Sequence, residues 1–205
     1  MKIIKKILFG AAVLGVCVLM HFYGEATKAR ERQEDIAKEV IRLHVVANSD
    51  LEIDQKLKLE VKEEIVTILR QKMQDDTSVA EAQATLRQQI PEIEELAENY
   101  IKKKGYSYSV KATLENCYFP IKEYGDMVFP AGYYNALNVR IGQASGKNWW
   151  CVLYPTLCFV DSTYQTVPEE SKAKLKENLT EEEYDMLLEG GDKVEYGFWF
   201  FELFH

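Results

Sequence analysis

The sequence predicts an α+β fold, a single domain in which an antiparallel sheet packs on helices, preceded by an N-terminal signal or membrane segment. Apolar residues recur every three or four positions over 51–74 and again over 77–105, as on one face of a helix. Polar and apolar side chains alternate over 106–118 and 133–141, which is typical of strands. The 205 residues are 47% hydrophobic and 28% charged, so one domain can bury a core.

The N-terminal residues have the layout of an export signal. Lysines in MKIIKK precede the uncharged stretch 7–20, and polar sequence follows from Gly24. The small residues Gly24 and Ala26 predict cleavage after Ala26, whereas an apolar stretch extended to Tyr23 leaves a membrane anchor as the alternative. We therefore divide the chain into a signal peptide or membrane anchor, a polar linker and an exported domain: 1–26, 27–40 and 41–205.

The net charge limits the partners of the exported domain. The formal charge of the chain is −8 at pH 7. An acidic body repels phosphate backbones and anionic lipid, so we do not expect a nucleic-acid partner.

Several elements have sequence signals at their ends. Residues 41–46 alternate and are rich in β-branched side chains, and 47–50 supply turn residues after this strand. Ser49 and Glu52 have the spacing of a capping box for the first helix. Pro91 is expected to interrupt or restart the second helix, because its ring removes a backbone donor.

The second half of the chain continues this alternation of structure. The turn-rich residues 143–147 predict an antiparallel hairpin over 133–153. Two short acidic helices and a closing aromatic strand are expected over 169–176, 181–189 and 194–204. Thr180 with Glu183 caps the second of these helices, and the glycine pair 190–191 ends it.

Two tryptophans and two cysteines lie together in KNWWCVLYPTLCF, residues 147–159. In an oxidising compartment two of the three cysteines Cys117, Cys151 and Cys158 are expected to pair. A turn at Pro155 would bring Cys151 to Cys158, and a bond from Cys117 to either one stays open as the alternative. The segment therefore indicates a cross-linked part of the core, with its tryptophans as a candidate contact surface.

The sequence offers no strong catalytic or metal-binding pattern. No histidine lies between His44 and His205, and the gap between the paired cysteines is longer than in the CxxC motif of oxidoreductases. Strand alternation separates His44 from its neighbours, and Ser49 and Asp50 lie in no GxSxG element. We expect no metal, no cofactor and no enzymatic activity.

Two long stretches carry a specific resemblance. IRLHVVANSDLEIDQKLKLEVKEEIV (41–66) and FPIKEYGDMVFPAGYYNALNVRIGQASGKNWWCVLYPTLCFVD (119–161) resemble the stage II sporulation protein R family, secreted signalling proteins of endospore-forming bacteria. One departure is Ala144-Ser145, where the family pattern has a more glycine-rich turn.

This resemblance implies a function. The chain would be exported from the forespore into the space between the two membranes and would activate a membrane-embedded aspartic protease, which removes the pro-sequence of sigma factor E. It would act as a ligand without chemistry of its own. The residues we assign to the receptor contact, for their aromatic, glycine and proline content, are Tyr124, Asp126, Pro130, Tyr133, Trp149 and Trp150.

A cell-wall protein is the alternative from another class. Paired tryptophans also stack on sugars, so the chain would then be a peptidoglycan-binding module or hydrolase. A hydrolase needs two carboxylates in a pocket, and the acids near the aromatic segment are Glu123, Asp126 and Asp161.

Overall fold

The computed structural model describes residues 2–155, 157, 158 and 166–193. This part of the chain forms, in order, α1 (Lys2–Lys38), β1 (Ile41–Val46), α2 (Glu52–Lys72), α3 (Val79–Lys103), β2 (Val110–Phe119), β3 (Lys122–Tyr124), β4 (Met127–Phe129), β5 (Gly132–Ile141), β6 (Asn148–Tyr154), α4 (Glu169–Asn178) and α5 (Glu181–Lys193). The strand predicted over 194–204 and the candidate acid Asp161 lie outside the described residues.

Four strands form a mixed sheet in the order β2-β5-β1-β6, and β3 pairs with β4 in a separate small hairpin. Strand β1 runs parallel to β5, with Leu43 opposite Leu137, and antiparallel to β6, with Leu43 opposite Cys151. Strand β2 is antiparallel to β5 along its whole length. The α+β class is confirmed, with one parallel pair in the sheet.

The hairpin predicted over 133–153 is wrong, because β1 lies between β5 and β6. Five of the six residues of β1 are buried, which is typical of a central strand covered on both faces. The chain leaves β5, crosses the end of β1 and enters β6. Several hydrogen bonds hold this crossing to the loop after β1, among them those from Gly146 N to Ala47 O (3.0 Å) and from Lys147 N to the Asp50 carboxylate (2.7 Å).

The main core lies between the sheet and the helices α2 and α3. Alternation along the strands directs every second side chain towards these helices. From the sheet these include Leu43, Val45, Ala112, Leu137 and Val139. From the helices they include Leu57, Val61, Ile65, Leu69, Leu86, Ile93, Ala97 and Ile101.

Two predicted helix boundaries differ from the structure. Helix α3 continues through Pro91, which is exposed, so the carbonyl that loses its amide partner faces solvent. The capping box of Ser49 with Glu52 is wrong. Ser49 Oγ accepts from Leu51 N (3.2 Å) and donates to the Asp54 carboxylate (2.6 Å).

The first and last helices close the other side of the sheet. The end of α1 is part of the core, because Ile36 and Ala37 are buried. Thr180 and Glu183 exchange two hydrogen bonds at the start of α5, so this capping box is confirmed, but the glycine pair 190–191 does not end the helix. Among the described helices, none combines the length and apolar character needed to cross a membrane.

Candidate functional site

A fully buried arginine lies on the face of the sheet opposite α2 and α3. Arg42 is the second residue of β1 and is 0% exposed. Its guanidinium carbon lies between 4.5 and 5.8 Å from the centroids of four aromatic rings. These rings, which we call the aromatic box, belong to Phe119, Tyr124, Phe129 and Tyr134.

The charge of Arg42 is held by rings and neutral acceptors. Its Nε donates to the carbonyl of Cys151 (3.2 Å) and an Nη donates to the hydroxyl of Tyr124 (3.0 Å). The other Nη has no hydrogen-bond partner among the described residues, and no carboxylate of that set pairs with the guanidinium. Aromatic faces attract a desolvated cation by about 2 kcal/mol, so the four rings of the box supply attraction that a counter-ion would otherwise supply.

The small β3-β4 hairpin forms one wall of the aromatic box. Tyr124 is buried, and its hydroxyl also donates to the carbonyl of Trp150 (3.2 Å). Asp126, at the tip of the hairpin, accepts from Val167 N (2.8 Å) and from Lys172 Nζ (2.6 Å). Burial is the largest single influence and raises the pKa of Asp126, but the hydrogen bonds from Lys172 and from backbone N–H groups, together with the charge of Lys172, outweigh it, so the pKa is lowered. The ionised carboxylate therefore fixes the hairpin to α4.

His44 and Trp150 extend the box along the same face. Their rings stack with centroids 3.7 Å apart, and Trp150 also meets Phe119 edge-on at 4.6 Å. His44 Nε2 lies 2.8 Å from the Asn148 side-chain oxygen. Burial lowers the pKa of His44, so the neutral imidazole is favoured. Trp150 remains half-buried, with part of its indole at the surface.

Trp149 lies on the opposite face of the sheet from Trp150. It pairs with Val45, and Lys62 Nζ of α2 lies 4.6 Å from the centroid of its ring. Its indole N–H is buried without a partner among the described residues. The two adjacent tryptophans therefore do not form one surface.

The cysteines divide into a bonded pair and free thiols. Cys151 and Cys158 form a disulfide with Cα atoms 5.0 Å apart, next to the carbonyl that binds Arg42. Cys117 on β2 is free and half-buried, and burial raises its pKa to about 11. A thiol with so high a pKa is a poor nucleophile at neutral pH.

The residues considered for catalysis each have a separate partner. His44 contacts Asn148, Ser49 contacts Asp54, and the Asp50 carboxylate accepts from Lys147 N. Among the described residues, no group of histidine, cysteine and acidic side chains is placed to hold a metal ion.

Of the six residues predicted as the receptor contact, only Tyr124 is buried. Tyr133 is exposed, and Asp126, Pro130, Trp149 and Trp150 are half-buried. Tyr124, Asp126 and Trp149 also hold the hairpin and the sheet in place, as described above. The prediction from the sequence missed Arg42 and three members of the box; the available signal was an arginine between the apolar residues Ile41 and Leu43 of a strand.

A protein family and a related protein match the part of the chain that builds this site. The family model described as stage II sporulation protein R matches residues 37–164, which is more than half of the chain and includes Arg42 and the aromatic box. Stage II sporulation protein R of Bacillus subtilis (strain 168) is 36% identical over 157 residues, covering 76% of this chain and 70% of that protein. No solved structure gives a significant match. The chain belongs to the stage II sporulation protein R family.

Proposed function

We propose that this protein is an exported signal of endospore formation that activates a membrane-embedded aspartic protease, which then processes pro-sigma factor E. Membership of the stage II sporulation protein R family carries the proposal, since it gives the chain a role in sporulation. The finer steps are export from the forespore, action in the intermembrane space and stimulation of the protease.

The arrangement of the site supports a ligand that acts by binding. The polar side chains that resemble catalytic groups are each engaged with a structural partner. The most elaborate feature is a buried cation that orders the β3-β4 hairpin and the segment leading to Tyr133. Such a scaffold presents surface residues in a fixed geometry, which lowers the entropic cost of binding a receptor.

The surface that we assign to the receptor is the end of the sheet beside the hairpin. It includes Pro130 and Tyr133, beside the start of β5, whereas Trp150 lies opposite His44 on the other face of the sheet and would be a separate contact. To raise the active fraction of a protease from about 1% to 99%, a ligand must favour the active state by about 5.5 kcal/mol. Two or three aromatic contacts of the strongest kind, each contributing about 2 kcal/mol or more, can supply this difference.

Complementation in sporulating cells tests the proposal. In cells that lack the gene, the intact chain should restore processing of sigma factor E, and a chain without residues 1–26 should not. Tyr133→Ser should reduce processing without loss of protein, because this ring is 64% exposed and carries no core packing.

The matched control is Leu51→Ser. Leu51 is 63% exposed and follows β1, whereas Tyr133 is the second residue of β5, so the parallel pairing places the two residues at opposite ends of the sheet. Equal processing by Tyr133→Ser and Leu51→Ser would reject the surface. Normal processing in cells without the gene, together with retention of the chain on purified peptidoglycan, would favour the cell-wall alternative.

A further inference from the structure

The described part of the chain covers the outer edge of β2, at one side of the sheet, along only part of its length. In β2, the N–H groups of Val110 and Ala112 donate to the carboxylates of Glu98 (3.1 Å) and Glu94 (2.8 Å) of α3. These two N–H groups therefore point away from β5. Because the direction alternates along an antiparallel strand, the N–H groups at positions 114, 116 and 118 also point outward.

The glutamate cover ends at Ala112. No hydrogen bond within the described part of the chain engages the outward backbone groups from Leu114 to Tyr118. Five residues at about 3.4 Å each give an open edge of roughly 17 Å, which is the length of a typical strand. Proteins usually protect such an edge, as this one does at its other end, since unpaired backbone groups pair with any extended chain.

Exposed apolar side chains lie next to this open edge. Tyr118 is 54% exposed and packs at right angles on Tyr133, with the ring centroids 5.7 Å apart. The two are directly opposite in the β2-β5 register, so both belong to the same face. Ile121, just after β2, is 44% exposed. An added strand would place alternate side chains over this tyrosine pair.

We propose that Leu114–Tyr118 receives an extended segment of the receptor as a fifth strand of the sheet, with apolar side chains of that segment against Tyr118 and Tyr133. This inference rests on the proposed function and specifies how the same surface is used. Backbone hydrogen bonds give such a complex its affinity, and the side-chain contacts select the sequence.

Charge favours a receptor segment over a second copy of this chain. Two copies would each bring a net charge of −8. A neutral or basic segment avoids this repulsion, so the occupant that fits is a neutral or basic extended peptide with apolar residues at alternate positions.

A proline at the open edge separates backbone pairing from side-chain contact. Asn116→Pro removes an outward N–H and leaves the bonds to β5 intact, and Asn116→Ala loses the same side chain but keeps the N–H. Both variants are placed in the full chain in cells lacking the gene, with circular dichroism of the purified proteins as the check on folding. We expect Asn116→Pro to support at least about tenfold less processing of sigma factor E than Asn116→Ala, as loss of one pairing site and a steric block imply. Equal processing by the two folded variants would overturn the inference.

If Asn116→Pro does not fold, a photo-crosslinker tests whether the receptor contacts the open edge of β2. Benzoylphenylalanine replaces Tyr118 in the full chain, and a control chain carries it at the exposed Leu188 of α5. We expect Tyr118, and not Leu188, to crosslink to the protease. A crosslink from Tyr118 to a second copy of the chain, or to no protein, contradicts the inference.

The same experiment distinguishes this inference from the proposed function. Suppose that the wild-type chain restores processing, but Asn116→Pro processes as well as Asn116→Ala and position 118 does not crosslink to the protease. The proposed function is then supported, and the pairing of a receptor strand with β2 is rejected. If processing never depends on the chain, the function fails. Strand pairing at Leu114–Tyr118 is then supported only if the crosslinker at position 118 captures another protein in the Asn116→Ala background and not in the Asn116→Pro background.

Discussion

Replacing Arg42 tests whether the aromatic box holds a true buried cation. We compare Arg42→Lys, which keeps the charge, with Arg42→Met, which removes it at similar length. The arginine is fully buried, its described hydrogen bonds go to two neutral acceptors, and its charge faces rings. The account predicts that the substitution that keeps the charge is the more destabilising of the two.

The size of each effect follows from the contacts. Arg42→Met leaves the Cys151 carbonyl and the Tyr124 hydroxyl without their donor, and each lost hydrogen bond costs about 1 kcal/mol, so we expect a loss of about 2 kcal/mol. A lysine ammonium does not reproduce the two-point geometry of a guanidinium, and it keeps the desolvation penalty. A buried lysine can avoid this penalty by giving up its proton, which at pH 7 costs about 4–5 kcal/mol for a group with an ordinary pKa of about 10.4. This cost is the upper limit of the penalty, so we expect Arg42→Lys to lower the free energy of unfolding by about 3–4 kcal/mol.

Chemical denaturation at several pH values is the assay. In Arg42→Lys the buried lysine would have a folded-state pKa below its unfolded value of about 10.4. The unfolded state then binds more protons, so stability rises with pH. The gap between wild type and Arg42→Lys should narrow from pH 7 to pH 9, by at most about 2.7 kcal/mol. An Arg42→Lys protein as stable as wild type, or less damaged than Arg42→Met, would refute the reasoning.

Two further predictions concern His44 and Ala144. Burial holds the pKa of His44 below its unfolded value, so the unfolded state takes up the proton first as pH falls through about 6.5. Wild type should therefore lose stability between pH 7 and pH 5 relative to His44→Gln. Denaturation curves that shift in parallel for both proteins would contradict this prediction. Ala144 has φ of 49°, in the left-handed region that favours glycine, so Ala144→Gly should raise the free energy of unfolding by about 0.5–1 kcal/mol, and an unchanged or lower melting temperature would show that the turn is not strained.

The sequence predicted the elements better than their arrangement. Periodicity located α2, α3, β1, β2 and β5, because side-chain burial repeats within each element. The position of β1 between β5 and β6 depends on pairings about a hundred residues apart, which local turn signals do not contain. Residues 41–46 alternate, with Arg42 and His44 on one face, so the sequence did not indicate the central position that the burial of β1 shows.

The candidate site shows the same division. Sequence composition marked the segment with Tyr133 and Trp150 as a contact surface, and the structure leaves both residues accessible. It also grouped Trp149 with Trp150, although alternation along β6 sends neighbouring side chains to opposite faces. Tyr124 looked like a loop residue because the arginine that it binds lies 82 positions earlier in the chain.

The most direct test of the central claim is cleavage of pro-sigma factor E by membranes that contain the protease, measured with and without the purified chain. The account predicts cleavage when the intact chain is added and at least about tenfold less with Tyr133→Ser, while Leu51→Ser acts as wild type. Cleavage that proceeds equally without the chain, or that does not respond to it, would contradict the claim that this protein is the activating ligand.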